Sequence, residues 1–134
     1  MTLGVQDVGR ARKFYEALGW KASSASKPEV AFFNLCGIVF SLFGRGALAA
    51  DIGISDSGPG FSGIALAHNE RTKEAVDETL AQAAAAGATI VKPGQDTFWG
   101  GYAGYFADPD GHYWEIAWNP FMPLDEQGRC TLSE

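Results

Sequence analysis

The sequence predicts an α+β fold, because two helical segments and several short strands occur in an order that repeats along the chain. One strand, one helix and further strands come first, and the same order returns after a linker rich in glycine and serine. The two helices end at matching glycines, Gly19 and Gly87. Each half alone would leave one face of its sheet bare, so two halves that pack together are expected.

The first half begins with a strand at Leu3–Val5 and a helix for which Asp7 is the N-cap. Apolar residues recur at helical spacing after this cap, and Gly19 stands where a helix-ending glycine is expected. Two apolar strands follow at Val30–Leu35 and Ile38–Phe43, joined by a tight turn. This half therefore has the order strand, helix, strand, strand.

The second half follows a linker at Gly44–Gly60, which contains a short Ala-rich segment and then a Gly/Ser/Pro loop. Its predicted elements are a strand at Gly63–Ala67, a helix at Thr72–Ala86, and strands at Thr89–Val91, Gly101–Ala107 and Tyr113–Trp118. The tail from Asn119 is predicted to be irregular. Without gaps, the last hairpins of the two halves align Phe32 with Phe106 and Ser41 with Glu115.

The most informative stretch is the last predicted hairpin. Its turn, Asp108-Pro109-Asp110-Gly111, has the chemistry of a type I turn, with proline fixing φ and glycine supplying the left-handed conformation. Glu115 follows as a single acid in an aromatic strand, and an acid there costs free energy unless it is solvated or paired. Glu115 is therefore the first candidate for a functional residue.

Composition limits the classes of function. A chain of 134 residues that is 46% hydrophobic is expected to be a single soluble domain. Cys36 and Cys130 give neither a disulfide framework nor a metal-binding spacing. Apolar runs are too short for a membrane span and no signal peptide is evident, so a cytoplasmic location and no membrane partner are expected. A net charge of −6 argues against nucleic acid as a partner.

Taken together, these motifs resemble the vicinal oxygen chelate superfamily, which includes glyoxalase I, extradiol dioxygenases, and fosfomycin- and bleomycin-resistance proteins. The segments that carry the resemblance are residues 3–8, 14–20, 85–88 and 108–115. The resemblance implies two tandem βαβββ modules that form a cup-shaped, curled mixed sheet with the helices outside. It places one domain at residues 1–119, with modules 1–45 and 61–119, a linker at 46–60 and a tail at 120–134. It also implies a homodimer.

In metal-using relatives, the resemblance implies one ligand from the first and one from the last strand of each module. Glu115 fits one of these positions, and Ser41 and Gly63 occupy two others, where they are poor ligands. The fourth position falls before Met1. Because a catalytic metal needs about three protein ligands, no metal or other cofactor is predicted, although a divalent ion held by an unrecognised set stays open.

Side-chain alternation then predicts which residues line the cup. The predicted lining residues are Thr2, Gly4, Val39, Ser41, Phe43, Gly63, Ala65, Ala67, Tyr113, Glu115 and Ala117. Trp99 and Tyr102 flank two glycines and are predicted to form an aromatic rim around a small-molecule site. The predicted ligand-binding residues are Trp99, Tyr102, Ser41, Gly63, Tyr113 and Phe43.

Two functions remain open at this stage. The first is a metal-free protein, similar to bleomycin-resistance proteins, that binds a small, partly apolar or aromatic molecule, with a cation as a suitable guest. The second is a lyase, isomerase or dioxygenase-like enzyme in which Glu115 is the catalytic general base or a divalent metal is bound. Trp99, Tyr102 and Glu115 could also be purely structural.

Overall fold

The structure is a computed structural model that describes residues 1–58, 60–130 and 132. The chain divides into two compact units, Met1–Gly60 and Phe61–Glu134. Each unit contains a mixed sheet and at least one helix, so the predicted α+β fold class is confirmed. Among the described residues, no helix is both long and apolar enough to cross a membrane.

The first unit contains three strands and two helices in its described residues. In chain order they are β1 Thr2–Val5, α1 Val8–Ala17, β2 Val30–Leu35, β3 Ile38–Gly44 and α2 Arg45–Ile52. The sheet order is β1-β3-β2, with β1 parallel and β2 antiparallel to β3. The chain order of these strands is the one that the residues of the first half predict. Of the further strand that the βαβββ resemblance implies, the described residues between α1 and β2 show only isolated β-bridges, from Ala22 to Phe33 and from Lys27 to Val30.

Helix α1 is defined by the predicted caps and packs on one face of this sheet. The Asp7 side chain accepts a hydrogen bond from the Arg10 N–H at 2.8 Å, and Gly19 has a φ of 90°. The buried ring of Tyr15 contacts Phe33 and Phe40, with centroids 6.2 and 5.0 Å away. Aromatic packing of this kind fixes the helix to the sheet.

Helix α2 was not expected, because the sequence analysis placed the segment after Gly44 in a linker. A Cβ added at Gly4 would lie 3.0 Å from the Arg45 Cβ, so glycine allows α2 to cross close to β1. The Arg45 guanidinium pairs with Asp56 at 2.7 Å and donates to the Gly58 carbonyl at 2.7 Å. Gly4 is thus covered by α2, which contradicts its predicted place in an open lining.

The second unit contains four strands and one helix in its described residues. They are β4 Leu66–Asn69, α3 Lys73–Ala86, β5 Thr89–Asp96, β6 Tyr102–Ala107 and β7 Tyr113–Trp118. The sheet order is β4-β7-β6-β5, with β4 parallel to β7 and the other pairs antiparallel. Thr72 caps α3 by accepting from the Ala75 N–H, and Gly87 ends it with a φ of 110°.

Two strands of this unit differ from the prediction by more than one residue in their bounds. Strand β4 begins at Leu66, whereas Gly63 precedes it with a φ of 77° that is incompatible with a regular strand. Strand β5 continues beyond Val91 to Asp96, through Pro93. It can do so because it lies at the edge of the sheet and its register shifts twice.

The two hairpins differ by one residue in their turns. Cys36 and Gly37, with φ values of 41° and 91°, form a two-residue turn. In the second hairpin the Asp108 N–H donates to the His112 carbonyl at 2.9 Å, which leaves three residues in the turn. The Asp108 side chain accepts from the His112 N–H and from the Asp110 N–H.

This extra residue changes the equivalence of the strands before each turn. Phe40 pairs with Phe33, and Trp114, its counterpart, pairs with Phe106. The ungapped alignment of Phe32 with Phe106 is therefore wrong by one residue. Positions after the turns are unaffected, so Ser41 and Glu115 remain equivalent.

Candidate functional site

Glu115 lies on β7, an interior strand of the second unit's sheet, and it has a small neighbour on one adjacent strand and an aromatic neighbour on the other. Its register partners are Ala67 on β4 and Tyr105 on β6, and Lys92 on β5 continues the row. Cross-strand partners project from the same side of a sheet. We call the side that carries Tyr113, Glu115 and Ala117 the Glu115 face.

Tyr105 is a site residue that the sequence analysis missed. Burial raises the pKa of the Tyr105 hydroxyl above its usual value of 10.0, and the charge and hydrogen bond of the Glu115 carboxylate raise it further. The phenol therefore stays protonated and donates to the carboxylate, which gives Glu115 the partner that a half-buried acid requires. Alternation on the predicted strand puts Tyr105 on one face with Ala103 and Ala107, but only the register of β6 with β7 shows that this is the Glu115 face.

The Tyr105–Glu115 pair has alanine side chains on one side and aromatic side chains on another. Ala103 and Ala117 are buried partners in the next row, and Ala67 beside Glu115 is exposed. Tyr113 lies two residues before Glu115 on the same face, and its ring centroid is 6.1 Å from that of Phe61. Phe61 itself is 75% exposed, so this aromatic pair borders solvent.

Trp99 reaches the same face from the turn between β5 and β6. The turn is closed by hydrogen bonds from the Thr97 N–H to the Gly101 carbonyl and from the Gly101 N–H to the Thr97 hydroxyl, both 3.0 Å. Gly101 continues the alternation of Ala103 and Tyr105, and a Cβ added to it would overlap the Trp99 ring. The half-buried Trp99 ring therefore lies over Gly101 on the Glu115 side. We call residues 97–101 the Trp99 turn.

Tyr102 lies on the opposite face and is separated from Glu115 by the sheet. Its hydroxyl donates to the Asp77 carboxylate of α3, with oxygen distances of 2.9 and 3.1 Å. The Lys73 ammonium lies 5.6 Å from the ring centroids of both Tyr102 and Trp118. Trp99 and Tyr102 therefore do not form one rim, because the strand that begins after Gly101 turns their side chains to opposite sides.

In the first unit, Ser41 lies on the sheet face that does not carry α1, and its hydrogen bonds are satisfied locally. Thr2 is its register partner, and the two hydroxyl oxygens are 2.7 Å apart. The buried Ser41 hydroxyl also lies 3.3 Å from the Met1 carbonyl, to which it donates. Phe43, predicted as a ligand contact, lies half-buried on the same side between Gly4 and Val30.

The register also corrects two of the positions that were compared with metal ligands. Thr2 pairs with Ser41 as Ala67 pairs with Glu115. The first-strand positions that correspond to metal ligands in relatives are therefore Thr2 in the first unit and Ala67 in the second. Gly63 and a residue before Met1, which the sequence had suggested, do not occupy these positions. Gly63 is exposed and precedes β4, so its absent side chain does not shape the Glu115 face.

Comparison with known proteins assigns the family. The family model described as Glyoxalase/Bleomycin resistance protein/Dioxygenase superfamily matches residues 1–116. The chain belongs to this superfamily. A solved glyoxalase-related enzyme from Fulvimarina pelagi is 37% identical, with a TM-score of 0.90 over 100% of this chain and 96% of that chain.

More distant solved structures share the fold of this superfamily. A glyoxalase/bleomycin resistance protein/dioxygenase family enzyme from Burkholderia phytofirmans PsJN is 22% identical, with a TM-score of 0.74 over 88% of this chain and 94% of that chain. A lactoylglutathione lyase from Agrobacterium tumefaciens is 20% identical, with a TM-score of 0.66 over 89% and 90%. No functionally curated protein matches the chain.

The residues at the compared positions do not fit a divalent metal. They are two hydroxyls that bond to each other, Thr2 and Ser41, one methyl group at Ala67, and one carboxylate at Glu115, which accepts from Tyr105. Hydroxyls are weak ligands and a methyl group is none. Within the described residues, no three or more His, Cys, Asp or Glu side chains are grouped as a metal would require.

Neither histidine adds to this set. The His68 Nε2 atom lies 3.1 Å from the Glu70 carboxylate, which also accepts from the Thr79 hydroxyl at 2.6 Å. His68 pairs in register with Ile116, one position away from the Glu115 row. His112 belongs to the turn before β7.

Proposed function

We propose that this superfamily member binds a small, partly apolar or aromatic molecule on the Glu115 face of its second unit, without a metal. The observation that carries the proposal is the Tyr105–Glu115 pair, which lies beside the small side chain of Ala67. Tyr113 lies two residues before Glu115 on the same face, and the Trp99 ring lies further along this face, over Gly101. A few polar groups among apolar walls are typical of small-molecule sites.

The chemistry of the pair favours a ligand that donates hydrogen bonds. Tyr105 uses its proton toward Glu115, so the phenolic oxygen and the remaining lone pairs of the carboxylate are acceptors. An ammonium group would satisfy them, and an aromatic ring on the same molecule could contact Trp99 or Tyr113. A cationic aromatic guest therefore matches the face better than an anionic one.

Binding of phenethylammonium tests this proposal, with 3-phenylpropionate as a probe of similar size and opposite charge. We expect calorimetry to detect the cation in preference to the anion. Glu115→Gln should weaken cation binding about tenfold or more, the usual effect of losing a hydrogen bond to a charged group. Trp99→Ala should also weaken it, by removing the stacking contact.

Glu29→Gln is the matched control, because it removes an exposed acid of the first unit with the same change in net charge. Equal binding of the two probes, or equal weakening by Glu29→Gln, would show that bulk charge and not the Glu115 face attracts the cation.

A second function is favoured by the same pair. A carboxylate that is held by a tyrosine hydroxyl and open to a ligand can act as a general base. In that case Glu115 would remove a carbon-bound proton next to a carbonyl group, as in a lyase or isomerase. The test is deuterium exchange into dihydroxyacetone in D₂O: exchange that disappears in Glu115→Gln supports an enzyme, and exchange that persists there excludes this role for Glu115.

A further inference from the structure

The chain after β7 extends beyond the part that the family model matches, yet it is attached to the second unit at several points. The family match ends at residue 116, and β7 ends at Trp118. A β-bridge joins Leu124 to Cys130 in the segment that follows, which otherwise contains turns and irregular backbone in its described residues. We call residues 119–130 the strap.

The first attachment of the strap is to the Trp99 turn. The Asn119 side chain accepts from the Phe121 N–H at 2.9 Å, and the Met122 N–H donates to the Asn119 carbonyl at 3.2 Å. This local turn directs the Phe121 ring onto Gly100, where an added Cβ would lie 3.4 Å from a ring carbon. Gly100 has no side chain, so the Phe121 ring lies against the backbone of the turn that carries Trp99.

The second attachment is a fork between Arg71 and two carbonyl groups. Arg71 follows β4, and its two terminal nitrogens donate to the carbonyls of Leu124 at 3.3 Å and Asp125 at 2.6 Å. The acceptor residues are themselves held in a closed turn, since the Asp125 carboxylate accepts from the backbone N–H groups of Gln127 and Arg129 at 2.9 and 2.8 Å. The planar guanidinium suits such a two-point contact.

These attachments lie at one end of the sheet. The Trp99 turn joins the end of β5 to the start of β6, Arg71 follows β4, and the strap leaves from the end of β7. The strap thus runs from β7 to Gly100 and to Arg71, so it connects the Trp99 turn to the segment that follows β4.

We propose that the strap is a specificity element that holds the Trp99 turn, and with it the Trp99 ring, in place beside the Glu115 face. The effect of the strap on ligand specificity rests on the binding site proposed above, whereas its hold on the Trp99 turn does not. Phe121 and Arg71 are positioning residues in this scheme, because they contact the turn and the strap and act on a ligand only through Trp99.

Fluorine NMR of protein labelled with 5-fluorotryptophan tests both parts. The chain has four tryptophans, and Trp99→Phe assigns the Trp99 resonance. We expect Phe121→Ala and Arg71→Gln to move this resonance toward that of free 5-fluorotryptophan, while the Trp20 resonance of the first unit stays unchanged. Arg71→Lys should give a partial effect, because one ammonium group replaces the fork. In the two main variants, phenethylammonium should bind about fivefold more weakly, the loss of one modest contact.

Two substitutions serve as matched controls. Phe98→Ala removes a fully exposed phenylalanine from the Trp99 turn itself, and Arg12→Gln removes an exposed arginine that pairs with Glu16 on α1. Neither should move the Trp99 resonance toward the free label. Because Phe121 is 72% exposed, its truncation should leave the fold intact.

The outcomes separate the strap from the proposed binding site. An unmoved Trp99 resonance in Phe121→Ala and Arg71→Gln would overturn the proposal that the strap holds the Trp99 turn, even where Glu115→Gln still weakens binding of phenethylammonium. A moved resonance with unchanged probe affinity would overturn its role in specificity. A moved resonance in a protein that fails to bind phenethylammonium would support the mechanical hold on Trp99 and count against the proposed function alone.

Discussion

The hydrogen bond between Tyr105 and Glu115 makes the ionisation of one depend on the other. The pKa of Tyr105 is raised first by burial and then by the charge and hydrogen bond of Glu115. Since the folded pKa lies above the unfolded value, this interaction stabilises the fold fully below about pH 10 and is lost as pH rises through the folded pKa. Alkaline stability therefore reports on the pair.

We expect Glu115→Gln to lower the pKa of Tyr105 without returning it to 10.0, because burial remains. NMR titration of tyrosines labelled at the ζ-carbon measures this directly, with Tyr105→Phe assigning the signal among four tyrosines. Tyr102 is the internal control, because its pKa is raised by its own hydrogen bond to Asp77. A Tyr105 signal that is indifferent to Glu115→Gln would contradict the pairing.

The hydrogen bonds to the Asp56 carboxylate predict that the first unit loses stability at acidic pH. The hydrogen bond from Arg45 and the Gly58 N–H lower its pKa from 3.8 to about 2. A depressed pKa stabilises the fold above the unfolded value, and the contribution is lost as pH falls from about 4 to about 2. In Arg45→Gln, NMR titration of the Asp56 carboxyl carbon should show a pKa closer to 3.8. An unchanged low pKa would mean that the Gly58 N–H alone holds the carboxylate.

At the scale of elements, the Trp99 turn depends on the absence of a side chain at Gly101. A Cβ there would overlap the Trp99 ring and come within 2.6 Å of the Trp118 carbonyl. Gly101→Ala should therefore displace Trp99 and cost ~1–3 kcal/mol of unfolding free energy, as overpacking usually does. Urea unfolding followed by tryptophan fluorescence measures both effects.

Gly46 is the matched control for this substitution. It lies in α2, and a Cβ added to it meets no atom of the described residues within 4 Å. Gly46→Ala should therefore stabilise the protein by about 0.5–1 kcal/mol through helix propensity. A destabilised Gly46→Ala, or a neutral Gly101→Ala, would contradict the packing described for these two glycines.

The elements that the sequence predicted well are those with local signals. Asp7 caps α1 as predicted, Gly19 and Gly87 stand at the ends of the two predicted helices, and the turn at Asp108 forms as its residues require. These features depend on a few neighbouring residues, so a single sequence contains the information. The fold class follows from their order.

The elements that were mispredicted depend on distant contacts. Helix α2 is anchored by Arg45 to Asp56 and packs on Gly4, and neither contact is visible in an Ala-rich segment. The site shows the same limit: alternation placed Glu115 and Tyr113 on one face, but Tyr105 joined them only through the register of β6 with β7. Tyr102 was assigned to the wrong side because its rim position was inferred from the glycines beside it.

At the scale of the whole molecule, we predict the homodimer that the family resemblance implies, because several large apolar side chains are exposed in the single chain. Ile38 and Val39 at the start of β3 are 56% and 53% exposed, and Phe61 and Phe98 are more exposed still. Large exposed apolar residues commonly mark interaction surfaces. Light scattering after gel filtration should give twice the chain mass of 14.3 kDa. A mass of one chain at all concentrations would contradict a dimer.

The chain as a whole should contain no stoichiometric divalent metal. Among the four compared positions only Glu115 offers a strong ligand, and Thr2 and Ser41 bond to each other. Elemental analysis of protein purified without chelators should find the same low metal content in wild type and in Glu115→Gln. A metal that is present in wild type and lost in Glu115→Gln would refute this prediction and favour the metal-dependent enzyme.

Ala67→His provides the positive control for that analysis. It places an imidazole at the register partner of Glu115, on the same face of the sheet. A histidine and a carboxylate in neighbouring strands form half of a typical zinc site, so weak Zn²⁺ binding should appear by calorimetry. The binding should disappear again in the double variant Ala67→His/Glu115→Gln. Zinc binding that survives in the double variant would show that the metal is held elsewhere, and the assignment of these positions would be wrong.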